Sequence, residues 1–469
     1  MLRKFKYPIM YDNNLMVVSV VLVAMLIFFI SIIFLGPTSV LFRGESKIVY
    51  GIQEQKVQDH RLKVETVYEG LEYPTSMTFI GSGDILVTEK DKGTVQRIID
   101  GKKLPQPVFD AAVANENERG LLGIIYTKNS KGSPHVYLYF TESTNNKDDS
   151  DYCPEIIFCI DGNDPYGARI YRYDLDKNTT LKNPKLILDL PATPGSDHVG
   201  GGLLLGPDGN IYLTVGDGSV LTSLASNVKN GTVPDGRGGI LKIPANYNIK
   251  NSTGIFGNKY PLNLYYAYGI RNGFGLDFDP ITGRLWDTEN GRNFGDEINL
   301  VEPGFNSGWN TVQGIWDSHR DSATKILSDP ENSLVQLDRK GRYSIPEFIW
   351  YVPVGVTAIK FFDSDKLGKK YENDLFVADI HKGNIYHFDL NEKRSGLNLE
   401  GKLADKVANY EEDSRLIFAT GFHGVTDIEV GPDGYLYLLS FHNVTHGDRH
   451  HYYGTGSIYR IVPSDNLKP

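Results

Sequence analysis

The sequence predicts an all-β fold, a six-bladed β-propeller, with one N-terminal transmembrane helix ahead of it. Three observations lead there. An uncharged apolar run lies near the start, six copies of one strand–turn–strand unit follow it, and 49 Gly and 28 Tyr stand against 5 Met. Such a balance favours short strands joined by turns over helix bundles. The formal charge of -10, with no basic block, argues against nucleic acid as a partner.

Residues 1–14 read as a short cytoplasmic N-terminus. Leu15 to Gly36 is uncharged, long enough to span a bilayer and longer than a typical signal-peptide core. Arg3, Lys4 and Lys6 precede it, which places the N-terminus inside and everything after Thr38 outside. Only a weak cleavage-like stretch follows at Gly36 to Val40, so a retained anchor is expected at 15–36. Residues 37–60 form a polar spacer, and 61–469 one domain. Cys153 and Cys159, in a long insertion, are either a small-loop disulfide or a free pair. Sequons at Asn178, Asn230, Asn251 and Asn443 are compatible with an exterior location.

The repeated units come in order. Asp84 to Glu89 pairs with Thr94 to Ile98, and Val136 to Phe140 with Arg169 to Tyr173. Asn210 to Val215 pairs with Gly239 to Ile243, and Gly283 to Asp287 with Asp296 to Leu300. Asp374 to Ala378 pairs with Asn384 to Phe388, and Tyr435 to Leu439 with Ser457 to Ile461. Each is a small sheet that cannot bury both faces alone, the signature of propeller blades. Uneven spacing between units leaves long loops, and loops on one rim of a propeller are where sites are built.

The unit from His198 to Asp217 carries the first chemical signal. Pro207, Asp208 and Gly209 set a tight turn. Ile211, Leu213 and Val215 alternate with Tyr212 and Thr214, as in a half-buried strand. The hairpin returns on itself, so His198 and Asp217 are expected to meet at one rim. A carboxylate beside an imidazole fixes its tautomer and stabilises its protonated form, as a general base requires. Three further stretches stand out: Glu118 to Gly123, Tyr268 to Trp309, which holds the run Gly295-Asp296-Glu297-Ile298-Asn299, and Ala378 to Gly383. Trp309 and Trp350 read as blade packing, given how many rings the sheets need. His442, His446, Asp448, His450 and His451 cluster in the last unit, a composition that can bind metal.

In this order, from about Glu65 to Pro463, these motifs resemble the soluble-type glucose/sorbosone (aldose sugar) dehydrogenases, six-bladed propellers that use pyrroloquinoline quinone and calcium. The resemblance implies oxidation of an aldose to its lactone, with electrons passed to an external acceptor. It makes His198 the base, Asp217 its orienting partner, and Arg271 the cation that polarises the quinone oxygen. Glu118, Asn272, His381 and Lys382 join Arg271 around the cofactor. The main-chain carbonyls of Gly291 and Arg292 match the calcium site beside the quinone, and Asp296 with Glu297 a nearby second calcium site. Gly273, Phe274 and Arg292 depart from the family's usual residues. Where the family has an Arg-x-Arg-Asp run against the quinone carboxylates, this chain has Gly424-Val425-Thr426-Asp427. The alternative is a binding or adhesion propeller that has lost the quinone.

Overall fold

In a computed structural model the chain is described over residues 54–464, apart from 129–131, 145, 149–163, 177–179, 193–195, 245–248, 250–251, 315–332 and 445–452. The run 15–36, both cysteines, Asn178, Asn251 and the histidines after residue 444 lie outside the described residues. Among the described residues, no helix is long and apolar enough to cross a membrane.

Strands dominate, broken only by turns and short 3-10 segments. All six expected pairings form antiparallel ladders, for instance Val136 opposite Tyr173 and Leu436 opposite Ile461. Among the described residues the strands assemble into six sheets. Their innermost strands are Pro74–Gly81, Leu121–Lys128, Leu203–Leu205, Gly273–Phe278, Val356–Phe361 and Gly424–Val430. Each touches the next, and the last touches the first, so the sheets close a ring: a propeller. We number the blades one to six in that order.

Closure uses a strand that the repeat count did not include. Leu62–Glu72 pairs antiparallel with Tyr453–Pro463 and becomes the outer strand of the sixth blade. The two ends of the domain are thereby stitched by main-chain hydrogen bonds, and a closed ring leaves few exposed edges. Lys56–Val57 likewise adds to the outer edge of the fifth blade, opposite Ala419 and Thr420. The folded unit therefore begins upstream of residue 61.

The core is distributed around the ring. One apolar cluster lies at each blade junction, such as Leu86, Val95, Leu121 and Val136 between blades one and two. Ile211, Leu213 and Val215 pack toward blade two, while Tyr212 packs toward blade four. Every residue of Ile211–Val215 is buried. The half-buried strand expected from its alternation is thus sandwiched on both faces, because each blade is covered by two neighbours. Trp286 and Trp350 fill the junction of blades four and five.

Candidate active site

The hairpin of blade three places the first pair. Asp208 Oδ1 accepts from the Asn210 amide at 3.0 Å and Gly209 takes φ +75°, so the turn closes as its residues dictate. At the far end His198 sits at φ +56°, a left-handed conformation unusual for a non-glycine residue. Two bonds hold it there: its N–H donates to Glu118 Oε2 at 2.8 Å, and its carbonyl accepts from the Gly218 amide at 3.0 Å. Local strain is retained only when surrounding contacts over-determine it, a pattern common at functional sites.

His198 Nδ1 then meets Asp217 Oδ1 at 2.7 Å, and its Nε2 meets Arg271 Nη2 at 2.7 Å. A guanidinium only donates, so Nε2 carries the lone pair and Nδ1 the proton. Asp217 is 1% exposed. Its second oxygen accepts from the Trp309 indole N–H at 2.7 Å, and Oδ1 also accepts from the Ser219 amide at 2.9 Å. The carboxylate is locked by three donors from three segments. Trp309 also lies under the Arg271 guanidinium, 5.5 Å from its ring centre. Its role is therefore more than the blade packing expected of it, and nothing in its local sequence links it to a carboxylate 92 positions away.

Arg271 reaches this point from the loop before blade four. Its amide donates to Glu289 Oε1 at 2.6 Å, and Nη1 donates to the carbonyls of Asn290 at 2.9 Å and Gly291 at 3.1 Å. Its Nε is buried without a hydrogen-bond partner. Burial depresses its pKa, against the attraction of Asp217 and Glu289. Next to it, Asn272 donates to both oxygens of Glu118 at 3.2 and 3.0 Å, and its carbonyl accepts from the Gly200 amide. Burial pushes the Glu118 carboxyl up.

These groups line a central cavity of about 420 Å³. His198, Arg271, Glu118, Asn272, Gly291, Arg292, Asp296 and His381 all contribute to its wall. Lys382 does not: its side chain is exposed, and only its amide is engaged, donating to Asp379 Oδ1 at 2.6 Å. Two further cations in the wall were not singled out from sequence. Lys90 Nζ is bonded to Asp91 and to the Arg119 carbonyl at 2.9 Å, above the Tyr73 ring. Lys360 Nζ pairs with Glu429 at 2.8 Å and lies 3.6 Å from Asp277.

Asp296 and Glu297 do not share a site. Successive residues of a strand face opposite ways. Asp296 turns to the cavity, and its oxygens accept from the amides of Gly291, Val354 and Gly355 at 2.9, 2.8 and 2.7 Å. It is thereby a clip between two loops. Glu297 faces the other way, toward Glu289, and Ser307 Oγ lies between the two carboxylates, 3.2 Å from Glu297 and 2.6 Å from Glu289. Asp287 is fully buried beside them. Burial, then mutual repulsion, holds Asp287 and Glu297 well above the usual carboxylate range, and burial brings Glu289 to about 7. Three buried carboxyls in one place need protons or a hard cation between them.

At position 424 a Cβ would stand 2.8 Å from the Ile380 carbonyl oxygen, so the backbone packs too closely there for a side chain. Thr426 and Asp427 line the cavity. The His442 ring packs against His423 at a 35° tilt with ring centres 4.2 Å apart, and burial lowers its pKa to about 4.

The chain matches the family model described as glucose/sorbosone dehydrogenase over residues 71–445. It is similar to aldose sugar dehydrogenase YliI of Escherichia coli, 23% identical over 385 residues that cover 81% of this chain and 90% of that protein. Quinoprotein glucose dehydrogenase B of Acinetobacter calcoaceticus is 25% identical over 305 residues, 62% of this chain and 61% of that one. Among solved structures, the apo form of the E. coli aldose sugar dehydrogenase superposes with a TM-score of 0.63 at 19% identity, over 86% of this chain and 100% of the other. The PQQ-bound aldose sugar dehydrogenase of Streptomyces coelicolor gives 0.57 at 21% identity, over 87% and 99%. Mouse Hedgehog-interacting protein is 23% identical over 257 residues, half of this chain (50%) and 35% of that protein. The structural matches speak for the propeller, and the family model spans most of its length. The chain belongs to the glucose/sorbosone dehydrogenase family of oxidoreductases.

Proposed function

We propose that this chain oxidises an aldose at its anomeric carbon to the lactone, using pyrroloquinoline quinone with calcium. The observation that carries the reading is the Trp309–Asp217–His198–Arg271 chain of contacts at the cavity wall. The cavity volume is in the range of small-molecule sites, on the order of 300–1,000 Å³. The residues present fit an anionic planar guest chiefly through Arg271, which offers a buried N–H with no partner; His381 shares the wall, and Lys90 and Lys360 line it already engaged by carboxylates. When bound, the quinone supplies the electrophilic carbonyl carbon that accepts hydride from the sugar.

Each residue then has a physical task. His198 Nε2 holds the lone pair and takes the proton of the anomeric hydroxyl as the C1–H bond breaks and the C1–O bond becomes a carbonyl. Its Nδ1–H stays on Asp217, which stabilises the imidazolium so formed. Trp309 and Ser219 prevent that carboxylate from turning away. Arg271, now on Nε2, exchanges this contact for an oxygen of the bound guest, where a fixed guanidinium offsets developing negative charge. Glu118 and Asn272 hold the strained His198 turn in place. The carbonyls of Gly291 and Arg292 would hold a calcium ion beside the quinone as a Lewis acid. Glu297 and Glu289, which share the Ser307 hydroxyl, have the donor chemistry for a second calcium ion. Residues 15–36 are read as a membrane anchor, which leaves the propeller on the extracytoplasmic side.

The test is reconstitution of the full-length chain with pyrroloquinoline quinone and calcium. A quinone absorbance that changes on adding aldose, together with sugar-dependent dye reduction, supports the reading. His198→Asn tolerates the left-handed turn and should keep the quinone while losing turnover. A chain that takes up no quinone would leave the second reading, a binding propeller. The closed position at Gly424, the missing arginine at Thr426 and the likeness to Hedgehog-interacting protein favour that alternative.

A further inference from the structure

Blade five carries a cluster that the sugar site does not use. Leu375 stands opposite Phe388 and Phe376 opposite His387 in the hairpin Leu375–Asp379 and Ile385–Phe388. Extending this register by one step sets Asp374 directly against Asp389. Two carboxylates opposed on antiparallel strands repel each other. His387 lies on the same face, with Nε2 at 2.9 Å from Asp374 Oδ2 and 3.6 Å from Asp389 Oδ1. The three ligand atoms fall within 4.8 Å of one another. His381, at the cavity, follows the other end of this same strand, so the cluster lies on the opposite rim from the sugar site.

We propose that Asp374, His387 and Asp389 form a binding site for a borderline divalent metal ion of the zinc type. Ligand atoms about 2.0–2.2 Å from a zinc ion stand about 3.0–3.5 Å apart. The two spacings from His387, 2.9 and 3.6 Å, bracket that value, and the third pair lies within 4.8 Å, so the carboxylates need only turn toward a shared ion. The imidazole is held in position independently of its acidic neighbours. Tyr371 meets it edge-on at 5.1 Å, and Phe376 lies 5.0 Å away at 36°. Phe418 closes a third side at 6.4 Å. This packing leaves the ring few rotamers to lose, which lowers the entropy cost of ligation. The Asp389 side chain is 60% exposed, so water can complete the coordination shell. One nitrogen and two oxygens suit zinc or cobalt, whereas calcium takes an all-oxygen shell of six to eight ligands.

The experiment is zinc titration of the metal-stripped full-length chain in saturating calcium, followed by calorimetry and by the visible absorption of the cobalt-substituted form. We expect one zinc per chain at this site and tetrahedral-type cobalt bands. His387→Gln and Asp389→Asn should each weaken this binding by about 10-fold or more, by analogy with loss of one ligand-shell contact. Far-UV circular dichroism confirms that each variant is folded; because Asp389 is largely exposed, Asp389→Asn keeps the test valid if His387→Gln misfolds. Quinone uptake should be unchanged in both. Absence of zinc uptake, or uptake equal in wild type and variants, overturns the proposal and leaves an ion-paired histidine.

Discussion

The contacts of Asp217 make a prediction with a sign that packing alone would not give. Its two oxygens face donors only: His198 Nδ1–H and the Ser219 amide on one side, the Trp309 indole N–H on the other. An amide has a single acceptor oxygen. In Asp217→Asn, whichever way the group turns, its NH2 confronts a buried donor. Turned toward His198, it also drives the imidazole proton to Nε2, against Arg271. One unmade buried donor costs about 1–3 kcal/mol. Trp309→Phe removes the charge-assisted bond from the opposite side, a loss of about 1.5–3 kcal/mol. With phenylalanine in place, however, the NH2 of the introduced amide can face the ring without a clash. The double variant should therefore be more stable than the sum of the singles, by about 1 kcal/mol or more. The uncompensated charge on Arg271 is common to Asp217→Asn and the double variant, so it cancels from the cycle. Urea unfolding of the four proteins measures this coupling. Additivity within about 0.5 kcal/mol would refute the donor-only geometry.

The pH dependence of stability follows from two buried acids, Asp427 in the cavity wall and Asp277 beside Lys360. Burial raises Asp277 to about 6 and Asp427 to about 8 from an ordinary 3.8. The folded chain holds these protons after the unfolded chain has lost them, so their contribution to stability is greatest at low pH and falls from about pH 4 to about pH 8. Asp427→Asn should flatten that slope in denaturation midpoints measured across the window. Calcium should raise Tm more at pH 8 than at pH 5.5, because protons compete for Glu289 and Glu297, and Glu297→Gln should abolish most of the difference. Arg271→Lys keeps charge but loses the fork to Asn290, Gly291 and His198, so quinone affinity should fall about 10-fold or more in absorbance titrations. Deleting residues through Glu72 removes the outer strand of blade six and should leave a chain that opens early on heating, read by protease sensitivity.

What was legible in the sequence was local. The turn at Pro207 to Gly209 and the alternation after it set the neighbourhood of His198 and Asp217, because both ends belong to one hairpin. The six pairings were equally local, each closed by its own turn. Trp309, Lys90 and the closing strand Leu62–Glu72 were missed for the opposite reason: their partners are distant in sequence, and nothing beside them marks the contact. The shared ion at Asp296 and Glu297 came from the family resemblance, and resemblance carries no register: the strand period turns one acid to the cavity and the other to the blade interior.

Under the proposed function, the charge arrangement around the cavity makes Arg271 the first contact for an anionic guest. Lys90 is engaged by Asp91 and carbonyls, and Lys360 by Glu429 with Asp277 nearby, so their charge is largely compensated inside the protein. Arg271 alone among these three retains a buried nitrogen without a partner, and its Nη2 rests on a lone pair that the proposed reaction requires. A guest that satisfied Arg271 would also free His198 Nε2 to receive a proton. Binding and activation of the base then become one event: the guanidinium that holds the guest is the group that uncovers the imidazole. In a family member without guanidinium groups at 424 and 426 to grip an anion, this coupling concentrates both affinity and chemistry on the short segment Arg271–Asn272.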